Sequence, residues 1–391
     1  MSIELRVYDG VRRVAGAAWD RLVGEGSPFL EHAWLASMEE AECAAGQEGW
    51  IPQILTAWRG DALIGAVPLY IKGNSFGEFV YDWAWADLAS RLGVAYYPKL
   101  VAGIPFSPVS GERLLTEPSL SDGEREELLR LMIRASVALA RELGLSGVHY
   151  LFVPEWQAKL LAEEGLMIRF GHQYHWTNEG YGDFDDFLGR FKAKKRTQIK
   201  RERRGVYEEA GVTVEMLRGM EVDEALMDHV FRFYHSTCDK FVWGRQYLNR
   251  EFFRMVHARM PERLLILVAR DKGGTPVAGA FTLEKAGRIY GRYWGCDEEI
   301  KFLHFEVCCY APVAHAIEHG MQVMEPGAGG GHKYLRGFEP VKTWSAHWIA
   351  DPRMRALLDR HLEAERAAVD REIVAMRAQS PLVHPIKVDE A

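Results

Sequence analysis

The sequence has little cysteine. Five occur among 391 residues: Cys43, Cys238, Cys296, Cys308 and Cys309. No two form a C-x-x-C pair, and an odd count fits no disulfide framework, so reduced, mostly buried thiols in a cytoplasmic protein are expected. No stretch approaches the ~18 consecutive apolar residues of a membrane helix. The opening "MSIELRVYDG" alternates like a strand and lacks the apolar centre of a signal peptide. Cationic charge is not in excess either. With 48 Lys and Arg against 55 Asp and Glu the net charge is -7, so any anion-binding surface has to be local. No segment is of low complexity. There is no Gly-Lys-Ser/Thr phosphate loop and no dinucleotide-binding glycine fingerprint.

What is present is length and order. The chain is long for one domain and suits two. A hydrophobic content of 48% with 26% charged residues is that of a globular protein. Periodicity predicts strands over 51–58 and 62–72, an alternating aromatic strand over 77–86, a helix over 124–144 and a strand over 147–154. The second half repeats the order, with strands over 264–270, 276–285 and 288–296, a helix over 305–320 and a strand over 321–327. The boundary is placed in "NEGYGDFDDFLGRF", giving domains 1–182 and 183–391. A long charged helix is predicted over 351–379, packed on the second domain or on a second copy in a homodimer.

Two segments stand apart chemically. "EPGAGGGHKYLRGFEP" (325–340) sets Gly327, Gly329, Gly330 and Gly331 beside His332, Lys333 and Arg336. Glycines are costly to fix. They are used where backbone amides face an anion, or in a solvated turn, and composition leaves both readings open. "RFKAKKRTQIKRERRG" (190–205) carries nine cations against one Glu. Lys192, Arg196, Lys200 and Arg203 fall at helical spacing on one face, with Lys195 beside them. Such an unmixed run in an acidic chain points to a phosphate or polyanion ligand.

Other candidates are single residues. His304 and Glu306 open the helix after the aromatic strand; either suits a base, and Glu306 equally suits a helix N-terminus. Their His-x-Glu spacing is not followed by P-C-x-x-C, so no metal is expected. Glu325 ends a strand beside the glycines. In the first half Asp82 lies among Tyr81, Trp83 and Trp85, either as a platform for a sugar or base or as an aromatic core with a paired aspartate.

The segments "SPFLEHAWL", "YDWAWAD", "YYPKL", "PFSPVSGERLL", "KKRTQIKRERR", "YWGCDEEIKFLHFE" and "EPGAGGGHKYLRGFEPV" together resemble the FemAB-like branch of the GNAT acyltransferase superfamily. The resemblance spans most of the chain. It implies an α/β (α+β) fold of two tandem GNAT-like domains, each with a mixed, mostly antiparallel sheet flanked by helices. Fem ligases pass an aminoacyl group from a charged tRNA to a cell-wall precursor amine. Their second domain carries a Phe-Lys then Gly-Phe signature. Here Gly337-Phe338 is similar, while the lysine is displaced to Lys333 and Arg336 adjoins the glycine. Their helical-hairpin arm has no counterpart.

Transfer to an amine needs a proton acceptor, donors for the carbonyl oxygen and cations or amides for a phosphorylated donor. The resemblance therefore implies an N-acyltransferase. Glu325, His304 or Glu306 would be bases, and Lys333 and Arg336 would stabilise negative charge. The basic helix, the Gly329–Gly331 amides and His332 would hold the donor, with Asp82, Trp83 and Trp85 on a substrate. No tightly bound cofactor is expected. Acyl-CoA or aminoacyl-tRNA is the co-substrate, although neither half has the usual acetyl-CoA phosphate loop, and a small-molecule or peptide amine is the acceptor. The alternative is a non-catalytic module for RNA or a cell-wall precursor.

Overall fold

A computed structural model of the chain describes residues 2–46, 49–240 and 245–383. It divides into two compact units. One comprises the described chain up to His172 together with Lys342–Glu372; the other comprises Gln173–Val341 together with the described residues from Ile373 to Val383. The sequence placed a single boundary at 182/183. The chain instead crosses at 172/173, inside a strand, because that strand and a later one each run on from one unit into the other. The tail read as part of the second domain, 384–391, lies outside the described residues.

The first unit contains β1 (Ile3–Tyr8), α1 (Gly16–Val23), α2 (His32–Glu40), β2 (Trp50–Pro52), β3 (Ile54–Arg59), β4 (Ala62–Val67), β5 (Leu69–Lys72), α3 (Trp83–Leu92), β6 (Lys99–Ala102), β7 (Leu115–Thr116), α4 (Asp122–Glu142), β8 (Gly147–Val153) and α5 (Glu155–Glu163). The strand β9 (Met167–Thr177) passes into the second unit. β1, β3, β4 and β7 form one antiparallel sheet. In the other, β6 runs parallel to β8 and antiparallel to β5, and the late strand pairs with β8 through Trp344–Ile349. Helix α4 starts on a capping box, Ser121 with Glu124, and sends Leu128, Leu129, Met132 and Ile133 into the core.

The second unit contains α6 (Phe184–Gly189), α7 (Ala193–Arg204), β10 (Thr213–Arg218), α8 (Glu224–Lys240), α9 (Arg250–Arg259), β11 (Leu264–Arg270), β12 (Pro276–Lys285), β13 (Arg288–Cys296), α10 (Leu303–Phe305), α11 (Ala311–Glu318) and β14 (Val323–Glu325). A π-helical turn, Glu306–Tyr310, joins α10 to α11. The strand β15 (Glu339–Ile349) returns to the first unit, and α12 (Pro352–Ala378) crosses back. Within the second unit the sheet order is β10, β11, β12, β13, β14 and β9. "LLILVAR" is buried at every position but the last; a strand covered on both faces reads as such a continuous apolar run.

Both units thus contain a strand, a crossover helix and a parallel strand, β6–α4–β8 and β13–α10/α11–β14. The repeat read from sequence is present, with two corrections. The strand placed over 62–72 is two, β4 and β5, which lie in different sheets. Residues 77–86 are not its third strand. From Trp83 the chain is helical, ending on Gly93 in the left-handed conformation, and the third strand is β6. Trp83 is 58% exposed and Trp85 2%. Their two-residue spacing comes from a helix with one side buried, not from a pleat.

Candidate active site in the second unit

β13 and β14 pair only through Arg288–Val323, Ile289–Met324 and Tyr290–Glu325. Beyond that point β13 continues along β12 to Cys296. The chain leaving Glu325 runs on as the glycine-rich loop, and its Pro326 and Gly327 still lie close to Gly291 of β13.

Gly327, Gly329 and Gly330 hold φ of 84°, 66° and 84°, a region L side chains rarely occupy. At Gly330 a Cβ would also sit 2.8 Å from the His332 ring. Lys333 folds back over this loop. Its Nζ donates to the carbonyl oxygens of Pro326 (3.0 Å), Gly327 (2.8 Å) and Ala328 (3.3 Å), and burial draws its pKa down to about 8. An ammonium has three N–H groups, and here each meets a carbonyl of its own loop. Lys333 therefore shapes the loop, and no donor of its ammonium is left for a substrate oxygen. The amides of residues 327–332 find no protein acceptor among the described residues.

Arg336 is also engaged. Its Nη1 donates to the His332 carbonyl at 2.9 Å, its Nη2 to Glu202 at 3.0 Å, and its guanidinium lies 3.2 Å over the Phe305 ring. Glu202, in α7, further accepts from Tyr310 (2.5 Å) and Gln198 (2.7 Å). One helical step on, Arg203 grips Glu306 with two bonds of 3.1 and 3.0 Å, and Tyr207 donates to Glu306 at 2.8 Å. Glu306 is fully buried. It is neither a free base nor a helix cap, because both oxygens are taken. These contacts bring the basic helix and the glycine loop together, as the sequence required, through the one acidic residue of that helix. At the loop's end Gly337 holds φ 85°, and a Cβ there would lie 2.8 Å from the rings of Phe187 and Phe191.

The cationic face differs from the one spaced out in sequence. Lys192 donates to the Ser380 carbonyl, Lys195 to Gln198, and Lys200 pairs with Asp185 at 3.1 Å. With Arg203 turned inward, the exposed cations of α7 with no side-chain partner among the described residues are Lys194, Arg201 and Arg204, and half-buried Arg196 is likewise unpaired.

Two candidate bases keep free lone pairs. His304 contacts the rings of Trp294 (5.3 Å) and His332 (5.2 Å) and makes no hydrogen bond among the described residues. Burial, then the neighbouring His332, Lys333 and Arg336, push its pKa down to about 4, so it is neutral near pH 7. Glu325 is 4% exposed. Arg288 donates to its Oε1 at 2.8 Å, while its Oε2 has no partner and faces Nε2 of His175 across 3.8 Å. Sequence reading missed His175, Arg288 and Glu202; only the strand spacing of "HQYHWT" against "VME" could have suggested the first.

Asp82, Trp83 and Trp85 lie in the first unit. Asp82 is paired with buried Lys99 and accepts from Tyr96 at 2.5 Å; Glu78 shares Lys99 at 2.8 Å. Trp85 packs on His347 at 4.8 Å. Only Trp83, 5.3 Å from exposed Tyr81, forms a free aromatic surface. Among the described residues no cluster suited to a metal occurs, and no helix is long and apolar enough to cross a membrane.

A family model described as FemAB-like, peptidoglycan biosynthesis/recognition, matches residues 10–384. A solved structure named FemX is similar at 11% identity, over 92% of this chain and all of that one, with a TM-score of 0.54. A conserved protein of unknown function from Bacteroides thetaiotaomicron is similar at 13% identity, over 88% of this chain and 99% of that one, TM-score 0.51. A tandem GNAT protein from the clavulanic acid biosynthesis pathway is similar at 12% identity over 90% and 99%, TM-score 0.44. No curated protein matches the chain. At these identities the likeness to FemX and to the Bacteroides protein concerns the fold alone.

Proposed function

We propose that this chain, which belongs to the FemAB-like family, is an N-acyltransferase that moves an acyl or aminoacyl group from a phosphate-bearing donor to an amine. The observation that carries this reading is the joining of three features in one unit. A parallel strand pair ends at Tyr290 and Glu325, a loop with unpartnered amides follows, and a helix with unpaired cations is bound to that loop through Arg336 and Glu202. Amides of this kind suit an anion or a carbonyl oxygen gaining charge. Lys194, Arg196, Arg201 and Arg204 suit the phosphates of acyl-CoA or of aminoacyl-tRNA. Of the bases read from sequence, Glu325 and His304 are left to accept a proton.

A second reading has its own support. Lys333, Arg336 and Glu306 are consumed by internal contacts, as they would be in a module that binds RNA or a cell-wall precursor without turnover. Purified protein incubated with CoA thioesters, with a charged tRNA pool and with mixed amines decides between them. The transferase yields a new amide by mass spectrometry together with free CoA or uncharged tRNA. Salt-dependent binding with no amide supports the module.

A further inference from the structure

Glu325 and His175 present two buried atoms that nothing in the protein satisfies. Glu325 Oε2 and His175 Nε2 both lack a hydrogen-bond partner, in residues 4% and 8% exposed. Buried polar atoms are nearly always paired, so each orphan calls for an explanation. Here two orphans face one another at 3.8 Å, too far to bond directly.

Their placement follows from the sheet. Glu325 is the last β14 residue paired to β13, opposite Tyr290. β9 runs antiparallel on the other side of β14, with Met324 against Trp176, so His175 is the next residue in register with Glu325. Both therefore stand where the β13–β14 pairing ends and the glycine loop begins.

The chemistry of the gap is specific. A carboxylate oxygen only accepts, and a neutral imidazole nitrogen accepts when its proton is on Nδ1. Burial, followed by the charges of Arg288 and Lys333, works against protonation of His175, while Glu325 favours it; the net direction is downward. A small atom with two hydrogens would satisfy both acceptors at ~2.9 Å from each. A primary amine is such an atom. Its two N–H bonds would point at Glu325 and His175, leaving its lone pair free. Arg288 on the other Glu325 oxygen and the Lys333 ammonium offset part of the carboxylate's pull on a charged nitrogen, and the amine attacks once it is the free base.

We infer that His175 and Glu325 together form the seat of the acceptor nitrogen, selective for primary amines. The inference rests on the transferase reading above. In the step it implies, the amine lone pair attacks the carbonyl carbon of an ester or thioester donor, forming the C–N bond. The C–O or C–S bond breaks and its electron pair leaves with oxygen or sulfur. The proton shed by nitrogen passes to His175 Nε2 and from there to the leaving atom.

The test uses the intact protein with 15N-labelled histidine, titrated with methylamine, dimethylamine and tetramethylammonium at constant ionic strength. Methylamine is expected to shift the His175 ring-nitrogen resonances saturably, with dimethylamine at least ~10-fold weaker and tetramethylammonium silent. Glu325→Gln is expected to raise the methylamine half-saturation about 10-fold. No saturable shift, or the same shift with tetramethylammonium, overturns the seat; a water held between the two groups would give that result. The wild-type titration needs no variant to fold. Amide formation by the parent without any His175 response would remove the seat and leave the transferase. A His175 response without amide formation would remove the transferase and leave an amine-binding pocket.

Discussion

Arg336 Nη2 and Glu202 Oε2 are bonded at 3.0 Å, with side chains 6% and 3% exposed. This pair ties the glycine-rich segment to the basic helix across 134 residues of sequence. A buried ion pair contributes little net stability against an apolar replacement, but losing one partner strands a buried charge.

Arg336→Ala should therefore cost ~3–5 kcal/mol, read from urea denaturation. Arg336→Met combined with Glu202→Gln should recover part of that loss, since no uncompensated charge remains. A single variant within ~1 kcal/mol of the parent would show that the pair does not hold the two segments together.

Glu78 gives a pH signature in the first unit. Burial raises its pKa to about 7 despite Lys99 at 2.8 Å. Its folded value lies above its ordinary one, so the folded state binds the extra proton between about pH 4.5 and 7. Stability from this group is full below that window and is lost as pH rises through it, by ~3 kcal/mol in all. The buried histidines shift the opposite way, so the parent minus Glu78→Gln difference is the quantity to follow. A difference that does not change across the window removes this assignment.

His304 should titrate near pH 4, well below free imidazole. The Cε1 proton resonance identifies it once His304→Gln has removed the peak. A midpoint near 6.5 would mean that the ring is solvated and not packed between Trp294 and His332.

Replacing Lys194, Arg201 and Arg204 together by Ala should weaken binding of the phosphate-bearing donor by ~10-fold or more. It should also lower the salt dependence of log Kd by about one for each phosphate no longer neutralised. Since these side chains are exposed and unpaired, the melting temperature should barely move. Unchanged donor affinity would place the phosphates elsewhere.

Several elements were legible because local rules suffice for them. β11 and β12 begin and end where apolar pattern and flanking turns placed them, and α4 announced itself through its periodicity, two residues out of step at each end. The misreading at Trp83 and Trp85 arose because two aromatics spaced by two fit a strand or a half-buried first helical turn equally well. Site chemistry was less accessible. Lys333 and Arg336 looked like cations awaiting a ligand, yet their acceptors are backbone carbonyls and a glutamate far away in sequence. His175 was invisible because its role depends on the strand register that sets it beside Glu325.

The central claim is that the glycine-rich loop and the strand ends beside it make amides. Amide product from the purified chain, with acyl-CoA or charged tRNA and a primary amine, should be compared with that of Gly330→Val. That substitution puts a β-branched residue at φ 84° and against His332. The account predicts product from the parent and at least ~100-fold less from the variant at a similar melting temperature. Equal product from both would contradict it.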